Sequence, residues 1–375
     1  MKKIAFTGSF DPITKGHLWV VQEGLEIAEK VVLMIAVNPE KKYMFSEDER
    51  REMIYQSLVE YGIEDKVEIV VSKNEYVAQS AIDFGCDYLI RGIRSSVDFD
   101  YESLIQKANT EVLGGAKTIF VMPPRDLESV SSSFIKNLLG PVGWHWNIKK
   151  FVSNAVYDAL IKKYLIKCIS KYTGLQLNEK DLKDLTEMII EKYSGRTYHN
   201  INHIVHCYQE LEWYLSNRND DENINIEDVG LAILTHDIIY GAKSEKSDEE
   251  LSAEWTKNYL SSIGKERSHV IDIILSTAHL SGKYACDTLE KQLMSSIDLA
   301  ILGQRDEIYQ RYSDGVRKEY SYVNDEDYNK GRYKALDYLM TLNLYSNSVF
   351  FKYEDKAKRN MKKEQSNLLS ISHTD

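Results

Sequence analysis

The stretch KIAFTGSFDPITKGHLWVVQEGLEI (3–27) decides how the first part of the chain folds. KIAFT (3–7) is short, apolar and rich in strand-forming residues. The run Thr7-Gly8-Ser9-Phe10-Asp11-Pro12-Ile13-Thr14-Lys15-Gly16-His17 follows as a turn, and 17–29 carries apolar residues at helical spacing. Gly8 and Gly16 permit close backbone approach, and a helix starting after such a turn offers free N–H groups to an anion. His17 falls at that helix start, where its ring can donate to a phosphate. The alternation continues outward: VVLMIAV (31–37), VEIVV (67–71), DYLIRG (87–92) and KTIFVM (117–122) read as strands, with helical spacing over 47–61, 76–84 and 98–112. Continuous rather than alternating apolarity marks strands buried on both faces. Ser46 with Glu49 forms a capping box for the second helix, and Ser132 or Ser133 is placed to cap another after the fifth strand. The pattern predicts an α/β Rossmann-like parallel sheet, with ligands beyond the carboxyl ends of its strands.

From about residue 150 the strand signals fade. Helical spacing covers 151–167, 180–193, 199–216, 226–238, 248–262, 266–280 and 290–302, and 304–362 continues it with many Tyr, Lys and Glu. An all-α domain is expected over 179–362, after a first domain at 1–163 and a linker at 164–178 containing a Thr-Gly break. The tail 363–375 is expected to fray. Of 375 residues 43% are hydrophobic and 28% charged, a globular balance. No apolar run approaches the roughly 20 residues of a membrane span, and the N-terminus lacks the apolar core of a signal peptide. The formal net charge of −11 disfavours generic binding to a nucleic acid backbone. Four separated cysteines (86, 168, 207, 286) argue against a disulfide framework or a thiolate zinc site. A cytoplasmic protein without membrane or nucleic acid partners is expected.

The string GSFDPxxxGH resembles the nucleotidyltransferase superfamily. Further strings lie just past strand ends: Lys41 and Lys42 in NPEKKYMF, Arg91-Gly92-Ile93-Arg94 running on to Glu102, and Ser131-Ser132-Ser133 in ESVSSSFIK. Together they resemble the bacterial pantetheine-phosphate adenylyltransferases of coenzyme A biosynthesis, over residues 1 to about 162. The resemblance implies adenylyl transfer from ATP to 4′-phosphopantetheine, with dephospho-coenzyme A and pyrophosphate as products. A phosphate monoester is already a nucleophile, so such catalysis rests on positioning and charge neutralisation. By the same resemblance Ser9 binds both substrates, His17 contacts the ATP phosphates, and Lys41, Val77 and Arg91 hold the acceptor. ATP would meet Ser9, Phe10, His17, Gly92, Ile93, Arg94, Glu102 and the stretch Leu127, Glu128, Ser129, Val130, Ser131, Ser132 and Ser133. Magnesium would neutralise the leaving pyrophosphate. Dephospho-coenzyme A or coenzyme A would bind as product or inhibitor, and relatives imply a homo-oligomer.

Six of the nine histidines lie between 199 and 279. Tyr198-His199-Asn200-Ile201-Asn202-His203 puts His199 and His203 at i and i+4, on one helical face. His236-Asp237 follows LAILT, and Asp298 follows MSSI. Imidazole and carboxylate groups without thiolate suit Mn2+, Fe2+ or Mg2+. This pattern resembles the HD phosphohydrolase superfamily, over about 180–362. It implies His203, His236, Asp237 and Asp298 as metal ligands, His199 as general acid, and hydrolysis of a phosphoester of unspecified nature. His206 and Cys207 read as packing; Glu249, Glu250 and His279 stand open between surface groups and partners of a second metal. Two other readings remain: a nucleotidyltransferase with another phosphate acceptor, and a coenzyme A or nucleotide sensor with a silent helical half.

Overall fold

The computed structural model describes residues 1–73, 75–112, 114–218 and 223–371. The chain divides into two compact units, Met1–Leu160 and Ile161–Asp375.

In the first unit, strands β1 (Lys3–Gly8), β2 (Lys30–Val37), β3 (Val67–Lys73), β4 (Tyr88–Gly92) and β5 (Lys117–Val121) form one sheet. Their order is β3-β2-β1-β4-β5 and every pairing is parallel. Five consecutive residues of β2, Val31 to Ile35, are fully buried, which is why both faces of that strand read as apolar. The chain winds from β1 to β2 on one side, then returns across β1 to β4 on the other. The crevice between the carboxyl ends of β1 and β4 is therefore the topological switch point, where such sheets bind ligands.

Several helices start where a short polar side chain satisfies a free N–H group. Ser46 and Glu49 make the expected capping box ahead of Glu47–Tyr61. After β5 the helix Ser132–Leu138 is capped by Ser131, whose hydroxyl accepts from Phe134 N at 3.1 Å. Ser132 and Ser133, the expected caps, lie inside the helix instead, and Ser132 donates to the Pro12 carbonyl at 2.8 Å.

In the second unit every regular element among the described residues is helical. The expected linker does not separate the domains: residues up to 172 belong to the helix Asn154–Tyr172, and Leu165, Cys168, Ile169 and Tyr172 are buried. An apolar face at helical spacing outweighs the Thr-Gly break, which only ends that helix. The expected frayed tail is helical through Ile371, and 372–375 lie outside the described residues. Glu364 anchors it through an ion pair with Arg332, both side chains more than nine-tenths buried. No helix among the described residues is long and apolar enough to cross a membrane.

At Gly16 a Cβ would lie 2.6 Å from the Val130 carbonyl oxygen. Gly16→Ala must push apart the first turn of the helix Lys15–Ile27 and the loop after β5. A loss of about 1–3 kcal/mol is expected, read as a lower melting temperature of the full chain.

Candidate functional site

At the switch point the chain leaves β1 through Gly8, Ser9 and Phe10. Phe10 takes a φ of +46°, with its ring buried against Phe6 and His17 at centroid distances of 5.2 and 5.3 Å. Of the residues expected to meet ATP, Phe10, Ile93 and Val130 all have buried side chains, so they would face a ligand through backbone. Asp11 is buried and accepts from Met44 N and Phe45 N, each at 2.9 Å, and from Lys136 Nζ at 2.5 Å. One carboxylate thus joins the turn after β1, the loop after β2 and the helix after β5. Arg50, also buried, donates to the Ser9 carbonyl at 2.7 Å and lies 4.2 Å from the Tyr43 ring centroid.

His17 is the third residue of the helix Lys15–Ile27 and completes a capping box with Thr14. Thr14 N donates to His17 Nδ1 at 3.1 Å, and Thr14 Oγ1 lies 2.9 Å from the same nitrogen. An accepting Nδ1 carries no proton, so the neutral ring has its N–H at Nε2. Burial, helped by the charge of Arg94, lowers the ring's pKa from 6.5 to about 4. His17 is therefore a neutral donor at neutral pH.

The basic residues lie at the same sheet edge. Arg91 Nη1 donates to the Thr7 carbonyl at 2.7 Å, and Nε stands 3.6 Å from Glu102. Burial lowers its pKa, opposed by Glu102. Arg94 pairs with Asp98 at 3.0 Å and lines an open cleft of about 460 Å³ with Ser95, Asp98, Arg125, Glu128 and Ser129. Lys41 and Lys42 are exposed after β2, and neither side chain has a partner among the described residues. Val77 opens the helix after β3 and is half-buried. The topology thus brings Ser9, His17, Gly92, Glu102 and the loop from Leu127 to Ser133 to the ends of β1, β4 and β5. Lys41 and Val77 stand at the ends of β2 and β3, on the same edge. Sequence reading missed Asp11, Thr14, Arg50, Arg125 and Lys136 as site-building groups. Asp11 and Thr14 were in plain view within the motif, but their partners are far away or concern a cap.

A second constellation lies in the helical unit. Asn200 caps the helix Ile201–Asn217 with an extended backbone, its side chain accepting from Asn202 N at 2.9 Å. His199 therefore precedes the helix, and His199 and His203 do not share a helical face as the spacing predicted. The loop bearing His199 is stapled by Arg196, which donates to the carbonyls of His199, Asp237 and Ile238 at 3.2, 2.5 and 2.9 Å. His236 and Asp237 follow the helix Ile226–Thr235, and Asp298 ends Leu289–Asp298.

Ligand atoms of His203, His236 and Asp298 lie within 4.8 Å of one another. The two Nε2 atoms are 3.1 Å apart. Asp237 stands 3.4 and 3.1 Å from them, and Asp298 3.2 and 3.6 Å. His236 Nδ1 lies 3.0 Å from the Ile233 carbonyl, an acceptor only, so Nδ1 holds the proton and Nε2 turns its lone pair to the cluster. His203 Nδ1 meets the Tyr198 hydroxyl at 3.3 Å. Without a cation the histidines must balance the carboxylates. Burial opposes their charge, yet both rings are held well above the ordinary histidine pKa: His203 first by the neighbouring Cys207 and Tyr198 and then by Asp237 and Asp298, His236 by Asp237 and Asp298. Both carboxyls lie well below theirs despite burial. That donor set fits a divalent cation: two imidazole Nε2 atoms 3.1 Å apart, that of His236 oriented by the Ile233 carbonyl, and two carboxylates at a buried site.

His279 Nε2 holds Asp298 Oδ2 at 2.9 Å. Glu250 is committed elsewhere, to Lys283, to Tyr284 at 2.6 Å and to the cap at Ser247. Glu249 lines the cavity beside the cluster. His206 Nε2 faces Glu210 at 3.2 Å, and Cys207 packs near His203. Glu319, unmarked by the sequence reading, accepts from the backbone N–H groups of 197, 198 and 199 at 3.1, 2.7 and 2.9 Å, and lies 2.7 Å from His199 Nδ1. These donors keep its pKa low against the effect of burial. His199 Nε2 is thereby left as the free nitrogen, and the Tyr240 ring stacks on the imidazole with ring centroids 4.0 Å apart.

A cytidylyltransferase-like family model matches residues 5–138. The phosphopantetheine adenylyltransferase of Chromobacterium violaceum is 35% identical over 164 residues, spanning 44% of this chain and 98% of its own. That of Neisseria meningitidis serogroup C is 31% identical over 163 residues, spanning 44% and 94%. Among solved structures, the Plasmodium falciparum nicotinic acid mononucleotide adenylyltransferase complexed with NaAD aligns at 18% identity and a TM-score of 0.33, over 44% of this chain and 97% of its own.

The lowered pKa of His17 has a testable sign. At this ring the folded chain binds fewer protons than the unfolded one between about 4 and 6.5, so the ring's contribution to stability falls as pH drops through that window. Nuclear magnetic resonance of the ring is expected to show the Nε2–H neutral form with a midpoint near 4. A midpoint near the ordinary 6.5 would contradict the geometry.

Proposed function

Because the chain belongs, through its first unit, to the phosphopantetheine adenylyltransferase family, we propose that this unit transfers the adenylyl group of ATP to 4′-phosphopantetheine. A phosphate oxygen of the acceptor attacks the α-phosphorus, the bond to the β-phosphate oxygen breaks, and dephospho-coenzyme A and pyrophosphate leave. The observation that carries this reading is the neutral His17 with Nε2–H as its donor, beside Arg91 and Arg94 at the switch point, with Lys41 after β2 on the same sheet edge. A neutral donor binds a phosphate in every state along the path without a competing proton transfer. The surrounding cations offset the charge that builds on the leaving pyrophosphate. Arg91, anchored on the Thr7 carbonyl, and the exposed Lys41 would hold the acceptor; Arg94, Glu102 and the 127–133 loop would hold the nucleotide. Magnesium enters with ATP as part of the substrate. The exposed Val97, Phe99, Tyr101 and Leu104 on the helix Ser96–Lys107 support the expected homo-oligomer.

For the helical unit we infer a divalent metal centre and phosphoester hydrolysis. His203, His236, Asp237 and Asp298 would hold the ion. When bound, it would supply charge for the phosphate and lower the pKa of water. His199, oriented by Glu319, would deliver a proton to the leaving oxygen. The convergence of two imidazole nitrogens and two carboxylates carries this second reading.

Pyrophosphate release from ATP should depend on 4′-phosphopantetheine and fail with CTP. His17→Ala should lower turnover by about 10²–10³-fold, the usual cost of a lost transition-state donor, while circular dichroism stays unchanged. A folded chain that binds coenzyme A but releases no pyrophosphate would instead favour the sensor. For the second unit, the full chain should retain Mn2+ through gel filtration. His279→Ala, which removes the group orienting Asp298, should weaken that retention by about 10–100-fold; equal retention would exclude His279 from the centre.

A further inference from the structure

The cavity beside the histidine–carboxylate cluster has a volume of about 810 Å³, within the range of a site for a nucleotide-sized molecule. Its charge is one-sided. Asp237, Asp248, Glu249, Asp298 and Asp327 line it, against Arg332 as the one lysine or arginine among its described lining residues. That guanidinium is already engaged. It donates to Glu364 through Nε at 2.9 Å and Nη2 at 3.2 Å, and to the Tyr312 hydroxyl at 3.0 Å. Part of the remaining wall is uncharged, built from residues such as Val316, Ala335 and Leu339 and from tyrosines. Tyr240 and Tyr320 stand there, the first stacked on His199 and the second part-exposed.

We propose that this site takes an ester of a single phosphate whose organic part is uncharged and bears a planar ring, and that it rejects di- and triphosphates. The inference rests on the metal-centre reading above. One phosphate can lie at the cation, where the charge it brings is matched. A second or third would have to lie along the uncharged wall or near the remaining carboxylates with no free cation, and an unpaired charge in such a place is costly. A planar ring gains apolar contact on the same wall and an aromatic partner in Tyr320. The first unit differs in this respect: its cleft carries Arg94 and Arg125, and Lys41 and Lys42 follow β2 on the same sheet edge, cations of the kind a polyphosphate requires. In the reaction a water oxygen bonds to phosphorus and loses its proton to solvent. The ester P–O bond breaks, and the departing oxygen takes a proton from His199. A monoester yields orthophosphate and an alcohol; a cyclic diester yields its ring-opened monoester.

The test uses the full chain in Mn2+ with AMP, 3′,5′-cyclic AMP, ADP, ATP and glycerol 2-phosphate. Three readouts are local to the second unit: Mn2+ retained after gel filtration, hydrogen–deuterium exchange over 312–323, and hydrolysis seen as orthophosphate or, for the cyclic diester, as AMP. Retained Mn2+ is expected, with slower exchange under AMP or cyclic AMP. Hydrolysis of one of these two should exceed that of ADP and ATP by at least about tenfold in kcat/KM, a difference of about 1.4 kcal/mol. The same two arms separate monoester from diester as the source. Tyr320→Ala should raise KM for the preferred nucleotide and leave that for glycerol 2-phosphate unchanged. Retained metal with ADP or ATP used equally, with glycerol 2-phosphate used as well as AMP, or with no phosphate acting on the segment, overturns this proposal and spares the metal centre. Absence of retained metal overturns both.

Discussion

The buried carboxylate of Asp11 is the contact on which the first site depends. A carboxylate removed from water must be met by donors, and the three it finds come from two other places in the chain: Met44 and Phe45 after β2, and Lys136 after β5. The loops that leave three strands are therefore tied at one point, next to the turn that bears Ser9. Arg50 adds a fourth tie to the Ser9 carbonyl. With those loops fixed, the close passage of the Val130 carbonyl over Gly16 becomes geometrically necessary, and glycine is the residue that tolerates it. A site that works by positioning and charge, without a covalent intermediate, needs this rigidity more than it needs a reactive group.

His17 shows how a local cap shapes chemistry. A capping box usually sets a glutamate or glutamine at the third helical position. Here an imidazole takes that place, and its Nδ1 is spent on the Thr14 N–H. The cap fixes the tautomer, and burial beside Arg94 removes the positive charge. The second unit uses the same device with the opposite outcome. The Ile233 carbonyl occupies His236 Nδ1, so Nε2 is the nitrogen turned to the carboxylate cluster, where it would give its lone pair to a cation. In both rings the backbone occupies Nδ1: an N–H there leaves Nε2 as a donor suited to anions, whereas a carbonyl there leaves Nε2 as the nitrogen whose lone pair would suit a cation.

Much of this was legible because it is local. Strand and helix periods, the capping box at Ser46 and the order of motifs at strand ends follow from residues within one or two turns of each other. The histidine pairs were visible as a clustering of residue types. What failed was local competition: Ser131 rather than Ser132 caps its helix, and Asn200 rather than a residue before His199 opens the next. In each case several adjacent side chains can cap, and the choice falls to the packing of the helix that follows. The Thr-Gly break misled as a domain boundary because the apolar face of Asn154–Tyr172 runs on past the position where a linker was expected.

The amino-acid sequence by itself determined the two-part architecture, the parallel sheet and the identity of the residues at its ligand edge, since strand burial and motif spacing are properties of short segments. Tertiary structure alone decided the partners of Asp11, the staple formed by Arg196, the support of His199 by Glu319 and the neutralisation of Arg332 by Glu364. Those contacts join residues from 32 to 125 positions apart. No periodicity links such pairs; they meet only because the packed elements leave a buried charge or carbonyl that must be satisfied.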